Sequence, residues 1–219
     1  MSQVTIQVDG RPVQAETGQR LLWALLAAGF DIPNLCAIEG VEPPRGDCRL
    51  CWVEIAGRDK PVTSCTVPIE SGMQVRTRSP AVDRLVAASF ELLMSTHRLD
   101  CKACPGNKRC ALQSIANARR LKLRPKRLPK IEPDLAEDLS RPDLGFNPNH
   151  CVLCGKCVHV CEHEVGRGIL AFSRRGLATR VATFDDAPLA EQDCGDCTRC
   201  AEVCPVGAIF PRSRDPRSR

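Results

Sequence analysis

Fifteen cysteines in 219 residues dominate the possible chemistry of this chain, and their spacing divides them into groups. Two similar runs, CVLCGKCVHVC and CGDCTRCAEVC, place the cysteines at Cys151, Cys154, Cys157 and Cys161 and at Cys194, Cys197, Cys200 and Cys204. The C-x2-C-x2-C-x3-C spacing, with Pro205 after the second run, is typical of bacterial ferredoxin sequences, whose thiolates bind 4Fe–4S clusters. The repeat therefore predicts two electron-transferring clusters.

The fourth cysteine of each run is predicted to bind the cluster of the other run. We expect this cysteine to begin a helix that points away from the cluster of its own run. One cluster then has the ligands Cys151, Cys154, Cys157 and Cys204, and the other has Cys161, Cys194, Cys197 and Cys200. Glu162 replaces proline after Cys161, which predicts looser geometry at the first helix start. A zinc ribbon needs only paired C-x2-C units and leaves one cysteine of each run unexplained.

A second group consists of Cys36, Cys48, Cys51 and Cys65. We predict that these cysteines lie in loops of a small sheet domain, except Cys65, which lies in a strand-like segment. Four thiolates in such loops would hold a 2Fe–2S cluster. The gap of eleven residues between Cys36 and Cys48 departs from the plant-type ferredoxin spacing, which has four. A structural zinc ion is the alternative ligand.

The third group is compact and includes a histidine, in the segment THRLDCKACPGNKRC. Its members are His97, Cys101, Cys104 and Cys110. Three thiolates and one imidazole can build either an iron–sulfur site or a zinc site. His150, His159 and His163 have no comparable support and are predicted to be ordinary residues. With this group all 15 cysteines are assigned, and none remains for a disulfide, a nucleophile or a redox sensor.

The elements that position the first site are predicted within residues 1–79. Alternating residues over 4–15 predict a β-hairpin with an Asp9-Gly10 turn. Residues 16–33 predict a helix with Thr17 as its N-cap and Gly29 as its stop signal. Strand-like runs at 51–57, 61–67 and 73–78 complete the pattern of a β-grasp domain.

The rest of the chain is predicted to contain a helix, a connector and a second cluster domain, which makes the fold class α+β. Helix 80–95, with Leu85 and Leu92 among its apolar residues, and a Cys-rich loop form a segment at 80–118. Residues 119–148 contain five prolines and read as an extended connector. The repeat occupies 149–212, with a strand-turn-strand insertion at 169–184.

Charge and hydropathy limit the class of protein. The formal net charge is +5, and the segment 119–130 contains seven basic residues. It has no interleaved aromatic residues for stacking on bases, and four oxidised clusters with their thiolates would add roughly −7. The N-terminus lacks the pattern of a signal peptide, and the longest apolar run, 21–30, is too short to span a bilayer. We expect a cytoplasmic protein with no membrane span and no nucleic-acid partner.

The phrase NLC…GDCRLCWVEI and the order of the three groups resemble the N-terminal region of the large iron–sulfur subunit of respiratory complex I. Iron-only hydrogenases and NAD-linked formate dehydrogenases share that order. As a short chain it looks most like the diaphorase iron–sulfur subunit of NAD-reducing nickel–iron hydrogenases. The resemblance implies a 2Fe–2S cluster at Cys36, Cys48, Cys51 and Cys65, and a 4Fe–4S cluster at His97, Cys101, Cys104 and Cys110.

The resemblance also implies a role as an electron conduit with one 2Fe–2S and three 4Fe–4S clusters. Its partners would be a flavin- and NAD-binding subunit and the small and large hydrogenase subunits. No nucleotide-binding glycine motif or nucleophile elbow occurs, so we predict no catalytic residue in this chain. The alternatives are the same conduit in an NAD-linked formate dehydrogenase or complex I-like oxidoreductase, a free ferredoxin-like shuttle, and a zinc-dependent nucleic-acid-binding protein.

Overall fold

A computed structural model describes residues 2–218. The chain divides into two compact units, Met1–Leu92 and Leu93–Arg219, and the fold class is α+β, as the sequence predicts. Within the described residues, every helix is too short or too polar to cross a membrane.

The first unit contains a mixed five-stranded sheet. Its strands are β1 (Gln3–Val8), β2 (Arg11–Glu16), β3 (Trp52–Ile55), β4 (Val62–Thr63) and β5 (Gln74–Arg76). Their order is β2-β1-β5-β3-β4. The central strands β1 and β5 pair in parallel, and the other pairs are antiparallel. This is the β-grasp arrangement expected from the sequence.

The predicted hairpin turn is present between β1 and β2. Asp9 and Gly10 have φ angles of 50° and 79°, the left-handed conformation that a two-residue hairpin turn of this type requires. The Asp9 carboxylate also accepts hydrogen bonds from the Thr77 N–H at 2.9 Å and from its hydroxyl at 2.5 Å. The turn is thereby tied to the end of β5, so the hairpin and the central strand pair hold each other in register.

The helix predicted over 16–33 is shorter at its start. Helix α1 spans Leu21–Ala27, and Arg20 is its N-cap without a side-chain hydrogen bond. The prediction that Thr17 is the N-cap was therefore wrong. Thr17 lies before the helix and donates from its N–H to the Ser2 carbonyl at 2.9 Å. The stop at Gly29 is confirmed, since Gly29 has φ 81° and the next N–H donates back to the Leu25 carbonyl, as in a Schellman cap.

Helix α2 spans Pro80–Thr96, close to its predicted range. Its buried side includes Val82, Val86 and Phe90. Leu92 was expected on that side but is 60% exposed, and Met94 is fully buried instead. The buried stripe therefore runs through residues four apart, which the helical period brings onto one face.

The second unit contains short elements. Its helices are α3 (Ala111–Arg119), α4 (Lys156–His159) and α5 (Arg199–Glu202), and its strands are β6 (Leu144–Phe146), β7 (Ala171–Ser173), β8 (Arg180–Ala182) and β9 (Ile209–Pro211). β7 and β8 form the strand-turn-strand predicted within 169–184. The segment 119–148 is not wholly an extended connector, because it contains β6, which pairs antiparallel with β9.

Candidate metal centres

The structure brings the four cysteines of the first unit together at one end of the sheet. Cys36, Cys48, Cys51 and Cys65 are all buried. Cys51 directly precedes β3, whereas Cys65 lies in a 3-10 turn, Ser64–Thr66, and not in a strand as expected. The Ser64 N–H and hydroxyl both bond the Cys51 carbonyl, at 2.8 and 3.0 Å. These bonds place two of the four thiols beside each other.

The thiols of this group interact in pairs. A hydrogen bond between Cys36 and Cys48 raises the pKa of Cys36 and lowers that of Cys48. A second such bond raises the pKa of Cys51 and lowers that of Cys65, on which the charges of Cys36 and Cys48 also act. In each pair the hydrogen bond thus favours the thiolate of one partner, Cys48 or Cys65, and a thiolate is the form of cysteine that binds iron. The donor set fits a 2Fe–2S cluster.

In the group that includes His97, the three cysteines Cys101, Cys104 and Cys110 lie in one loop. Burial raises the pKa of Cys104 to about 11, and the charges of the other two thiols add to this effect. Cys110 is the N-cap of α3, where the N–H groups of Leu112 and Gln113 oppose the rise that burial causes in its pKa. Cys110 is therefore the thiol of this loop that the start of a helix stabilises as a thiolate.

His97 directly follows the end of α2 and is 5% exposed. Burial, with smaller contributions from the charges of His150 and Lys130, lowers the pKa of its imidazole to about 4. Within residues 2–218, its Nδ1 atom has no hydrogen-bond partner. A neutral imidazole with a free ring nitrogen is the form that binds a metal. His97 thus fits the ligand role, which stays a prediction.

The basic segment lies against this loop. Lys130 donates from Nζ to the carbonyls of Met94 and His97, at 2.7 and 3.1 Å, and Arg124 donates to the Leu99 carbonyl at 3.3 Å. A lysine at the C-terminal end of a helix stabilises the last carbonyl groups. These two cations therefore stabilise the segment that carries His97.

The cysteines of the two repeats line two separate cavities. The first is lined by Cys151, Cys154, Cys157 and Cys204, and the second by Cys161, Cys194, Cys197 and Cys200. Among the described residues, no three potential ligands converge as they would around a single ion. Each cavity takes three cysteines from one run and one from the other, which is the grouping that the crossed assignment requires.

The charges of the thiols divide largely in the same way. Burial raises the pKa of Cys157, and the charges of Cys151, Cys154 and Cys204 raise it further, with a last contribution from Cys200 of the other set. Burial likewise raises the pKa of Cys200 to about 12, with contributions from Cys161, Cys194 and Cys197. Because binding of a multivalent iron cluster offsets this repulsion between thiolates, both donor sets fit a 4Fe–4S cluster.

The prediction that the fourth cysteine of each run begins a helix is wrong. Cys161 lies in a π-helical turn, Val160–Glu164, that continues α4, and Cys204 follows the end of α5. The preceding helical turn carries each of these cysteines away from its own run. Pro205 cannot donate a backbone hydrogen bond and so favours an end to the helix, whereas Glu162 allows the turn after Cys161 to continue.

In each of the four groups, at least one backbone N–H donates to a cysteine sulfur. The acceptors are Cys36 (from Cys48, 3.4 Å), Cys104 (from Gly106, 3.4 Å), Cys151 (from Leu153, 3.4 Å) and Cys161 (from Ile169, 3.3 Å). Hydrogen bonds to ligand sulfur stabilise the more negative, reduced state of a cluster. The backbone thus favours reduction at all four groups.

No sequence motif predicts two side chains that lie near the cysteines, Arg141 and His150. Arg141 is 8% exposed and donates two hydrogen bonds to Asp143, at 2.9 and 2.6 Å. The same guanidinium bonds the Cys194 sulfur, and it opposes the rise that burial causes in the pKa of that thiol. Arg141 lies in the Pro-rich segment more than fifty residues from Cys194, so no local motif could have paired them.

The second is His150, which the sequence analysis left as an ordinary residue. It is 2% exposed, and its Nε2 atom lies 2.6 Å from the Asp100 carboxylate. Its ring centroid is 5.9 Å from that of His97. His150 and Asp100 adjoin Cys151 and Cys101, so this pair ties together two loops that carry predicted ligands.

We expect Arg141→Met to lower the midpoint potential of the cluster held by Cys161, Cys194, Cys197 and Cys200. The change removes a buried cation whose attraction grows when the cluster gains an electron, and the expected shift is on the order of 50 mV. A redox titration followed by EPR measures it. Arg180→Met is the control, because Arg180 pairs with Asp186 and lines neither cysteine cavity. An unchanged potential at full iron content would contradict the role of Arg141.

Family models match three parts of the chain in order. Residues 1–80 match the 2Fe-2S iron-sulfur cluster binding domain, and residues 88–122 match the NADH-ubiquinone oxidoreductase-G iron-sulfur binding region. Residues 150–208 match the 4Fe-4S dicluster domain. Iron–sulfur domains of both the 2Fe–2S and the 4Fe–4S kinds are therefore present.

Known proteins resemble almost the whole chain. A chain in the crystal structure of an NAD+-reducing [NiFe]-hydrogenase in the H2-reduced state superposes with a TM-score of 0.84 and 32% identity, covering 96% of this chain and 88% of that one. The NADPH-Fe(3+) oxidoreductase subunit alpha of Geobacter sulfurreducens is 33% identical over 99% of this chain. The mitochondrial NADH-ubiquinone oxidoreductase 78 kDa subunit of Neurospora crassa is 30% identical over 100%. The chain spans only 25% and 29% of the length of these two curated relatives.

Proposed function

We propose that this chain, which belongs to the family of iron–sulfur subunits of NAD-reducing nickel–iron hydrogenases, is an electron conduit. It conducts electrons between a flavin/NAD-binding subunit and a hydrogenase module. The observation that carries this proposal is the division of the cysteines, in which two cavities of the second unit are each lined by four of them. The complex would lie in the cytoplasm, and the small and large hydrogenase subunits would be its further partners.

The proposed cofactors are one 2Fe–2S and three 4Fe–4S clusters. The 2Fe–2S cluster has the ligands Cys36, Cys48, Cys51 and Cys65, and one 4Fe–4S cluster has His97, Cys101, Cys104 and Cys110. The crossed sets Cys151, Cys154, Cys157, Cys204 and Cys161, Cys194, Cys197, Cys200 hold the other two. Supporting this are the thiols, eight of them buried and seven half-buried, the Nδ1 atom of His97, which has no partner within the described residues, and the N–H groups directed at sulfur in every group.

When bound, the clusters accept and release single electrons, and the residues of this chain position and tune them. Buried or half-buried thiolates and backbone N–H groups hold each site in a fixed geometry, so little rearrangement accompanies a change of charge. His97 contributes a neutral ligand in place of a thiolate, which lowers the negative charge of its site and favours reduction there. Arg141 favours reduction at the site that contains Cys194.

Purification of the native complex tests the proposal. We expect hydrogen-dependent reduction of NAD and nickel in the complex, and about fourteen iron atoms in each copy of this chain, from one two-iron and three four-iron clusters. A complex without nickel would contradict the hydrogenase role. A colourless, iron-free chain prepared without oxygen, with zinc in its place, would contradict the iron–sulfur assignment altogether.

A second candidate function keeps the conduit and changes the catalyst at its end. The resemblance to the NADH-ubiquinone oxidoreductase 78 kDa subunit and to NADPH-Fe(3+) oxidoreductase subunit alpha favours a complex I-like or other NAD(P)-linked oxidoreductase. Molybdenum or tungsten in the purified complex would support the formate dehydrogenase form of this alternative.

A further inference from the structure

Two loops of the second unit meet backbone to backbone at a pair of glycines. Gly106 lies in the loop between Cys104 and Cys110, and Gly207 lies three residues after Cys204. A Cβ atom on Gly207 would lie 2.6 Å from both the Cα and the N atom of Gly106. A Cβ atom on Gly106 would lie 2.9 Å from the Val206 carbonyl carbon and closer still to its oxygen. Neither position accepts a side chain unless the loops move apart.

Only Gly207 has a backbone conformation that by itself favours glycine. Gly207 has φ 76°, a left-handed conformation that favours glycine wherever it occurs. Gly106 is not among the residues with positive φ, so its backbone conformation is open to alanine. The absence of a side chain at Gly106 is therefore explained by the close approach of the second loop.

Further contacts hold the two loops at this distance. The Ala111 N–H donates to the Pro205 carbonyl at 2.8 Å, and the Cys104 sulfur lies 3.9 Å from the Val206 carbonyl oxygen. The Gly106 N–H in turn donates to the Cys104 sulfur at 3.4 Å. The loop that contacts residues 205–207 is thus the one that surrounds a predicted cluster ligand.

The contact also brings thiols of two different groups near each other. Ala111 directly follows Cys110 and Pro205 directly follows Cys204, so the 2.8 Å hydrogen bond from the Ala111 N–H to the Pro205 carbonyl joins the backbone beside these two thiols. Cys110 belongs to the group with His97, whereas Cys204 lines the cavity with Cys151, Cys154 and Cys157. The two proposed clusters therefore approach each other where the glycines meet.

We propose that Gly106 and Gly207 are positioning residues for electron transfer between the cluster of His97, Cys101, Cys104 and Cys110 and the cluster of Cys151, Cys154, Cys157 and Cys204. Their missing side chains let the two loops touch, and this contact sets the distance that an electron crosses between the clusters. The rate of electron tunnelling falls exponentially with distance, so a displacement of the loops by one methyl group slows the transfer. The inference rests on the cluster assignments proposed above.

Gly106→Ala in the full chain tests it, because the change adds a methyl group at the contact and keeps the N–H that bonds Cys104. Iron content, the EPR spectrum of the fully reduced protein and the rate of electron transfer after pulse reduction are measured. We expect full iron content, a weaker magnetic interaction between the two clusters and transfer slowed several-fold. Gly145→Ala is the matched control, because Gly145 also lacks a positive φ and its Cβ atom would meet the Phe210 ring at 2.5 Å.

An alanine variant with four clusters and an unchanged interaction and rate would overturn the inference and leave the proposed function intact. Fewer than four clusters in the unaltered chain would instead contradict the proposed function. If Gly106→Ala does not assemble its clusters, Ala111→Pro decides. Ala111 is the first residue of α3, where proline is tolerated, and the change removes the N–H that bonds Pro205. An unchanged interaction in that variant would also overturn the inference.

Discussion

Cys204→Ala should remove the cluster held with Cys151, Cys154 and Cys157 and leave the cluster of its own run, at Cys194, Cys197 and Cys200, in place. The physical reason is that Cys204 lines the cavity of the other run. A 4Fe–4S cluster without one of its thiolates has an exposed iron and is readily lost. The loss amounts to about four iron atoms per chain. Cys161→Ala is the mirror-image control, because Cys161 lines the second cavity.

Double variants assign the lost cluster without spectroscopy. Cys204→Ala combined with Cys154→Ala should cost about four iron atoms, because both changes affect one cluster. Cys204→Ala combined with Cys197→Ala should cost about eight, because two clusters are affected. The reverse pattern, with additive loss for Cys154 and no further loss for Cys197, would show that each run binds its cluster alone.

Removal of iron should unfold the region 149–212 and spare the sheet of the first unit. The buried core of that sheet consists mainly of aliphatic side chains such as Ile6, Leu22 and Val53. That core also includes Cys51 and Cys65. The core around Leu144 in the second unit has fewer aliphatic residues and packs them against five cysteines, Cys151, Cys157, Cys161, Cys200 and Cys204. Without iron, the thiolates that line the two cysteine cavities lose the cluster that holds them together.

Hydrogen exchange measured by mass spectrometry checks this expectation on the full chain. Samples with intact clusters and samples treated anaerobically with a chelator are compared. Amides of 149–212 should lose protection almost completely on chelation, whereas amides of β1, β2 and β5 stay protected. The first unit thereby serves as an internal control. A cooperative thermal transition of 149–212 without iron, or equal loss of protection in both regions, would contradict the prediction.

This differs from the expectation that the sequence alone supports, which is that the whole protein without iron is largely unfolded. The number of cysteines suggests that metal binding organises every part of the chain. The structure shows instead that β1 and β2 pair along their full lengths and that Leu21 and Leu25 of α1 pack fully buried against the sheet. These contacts need no metal, because they bury apolar surface.

Features with local causes were predictable. The Asp9-Gly10 turn, the Gly29 stop and the β7–β8 insertion each depend on a few neighbouring residues, and all three occur where the sequence predicts them. The errors concern competition between distant groups. Thr17 caps no helix because α1 begins at Leu21 and the Thr17 hydroxyl donates to the Ser2 carbonyl at 3.2 Å. Cys65 lies outside β4, in a turn where Ser64 bonds the Cys51 carbonyl.

The sequence by itself predicted the ligand types and their number, because cysteine spacing within a run reflects how a short loop wraps around a cluster. Only the tertiary structure decided which cysteines of different runs line one cavity, which buried cation lies beside Cys194, and why a glycine stands at position 106. These relations join residues from about 40 to about 100 positions apart. No local pattern records such a pairing, since it arises when the folded chain brings separate loops into contact.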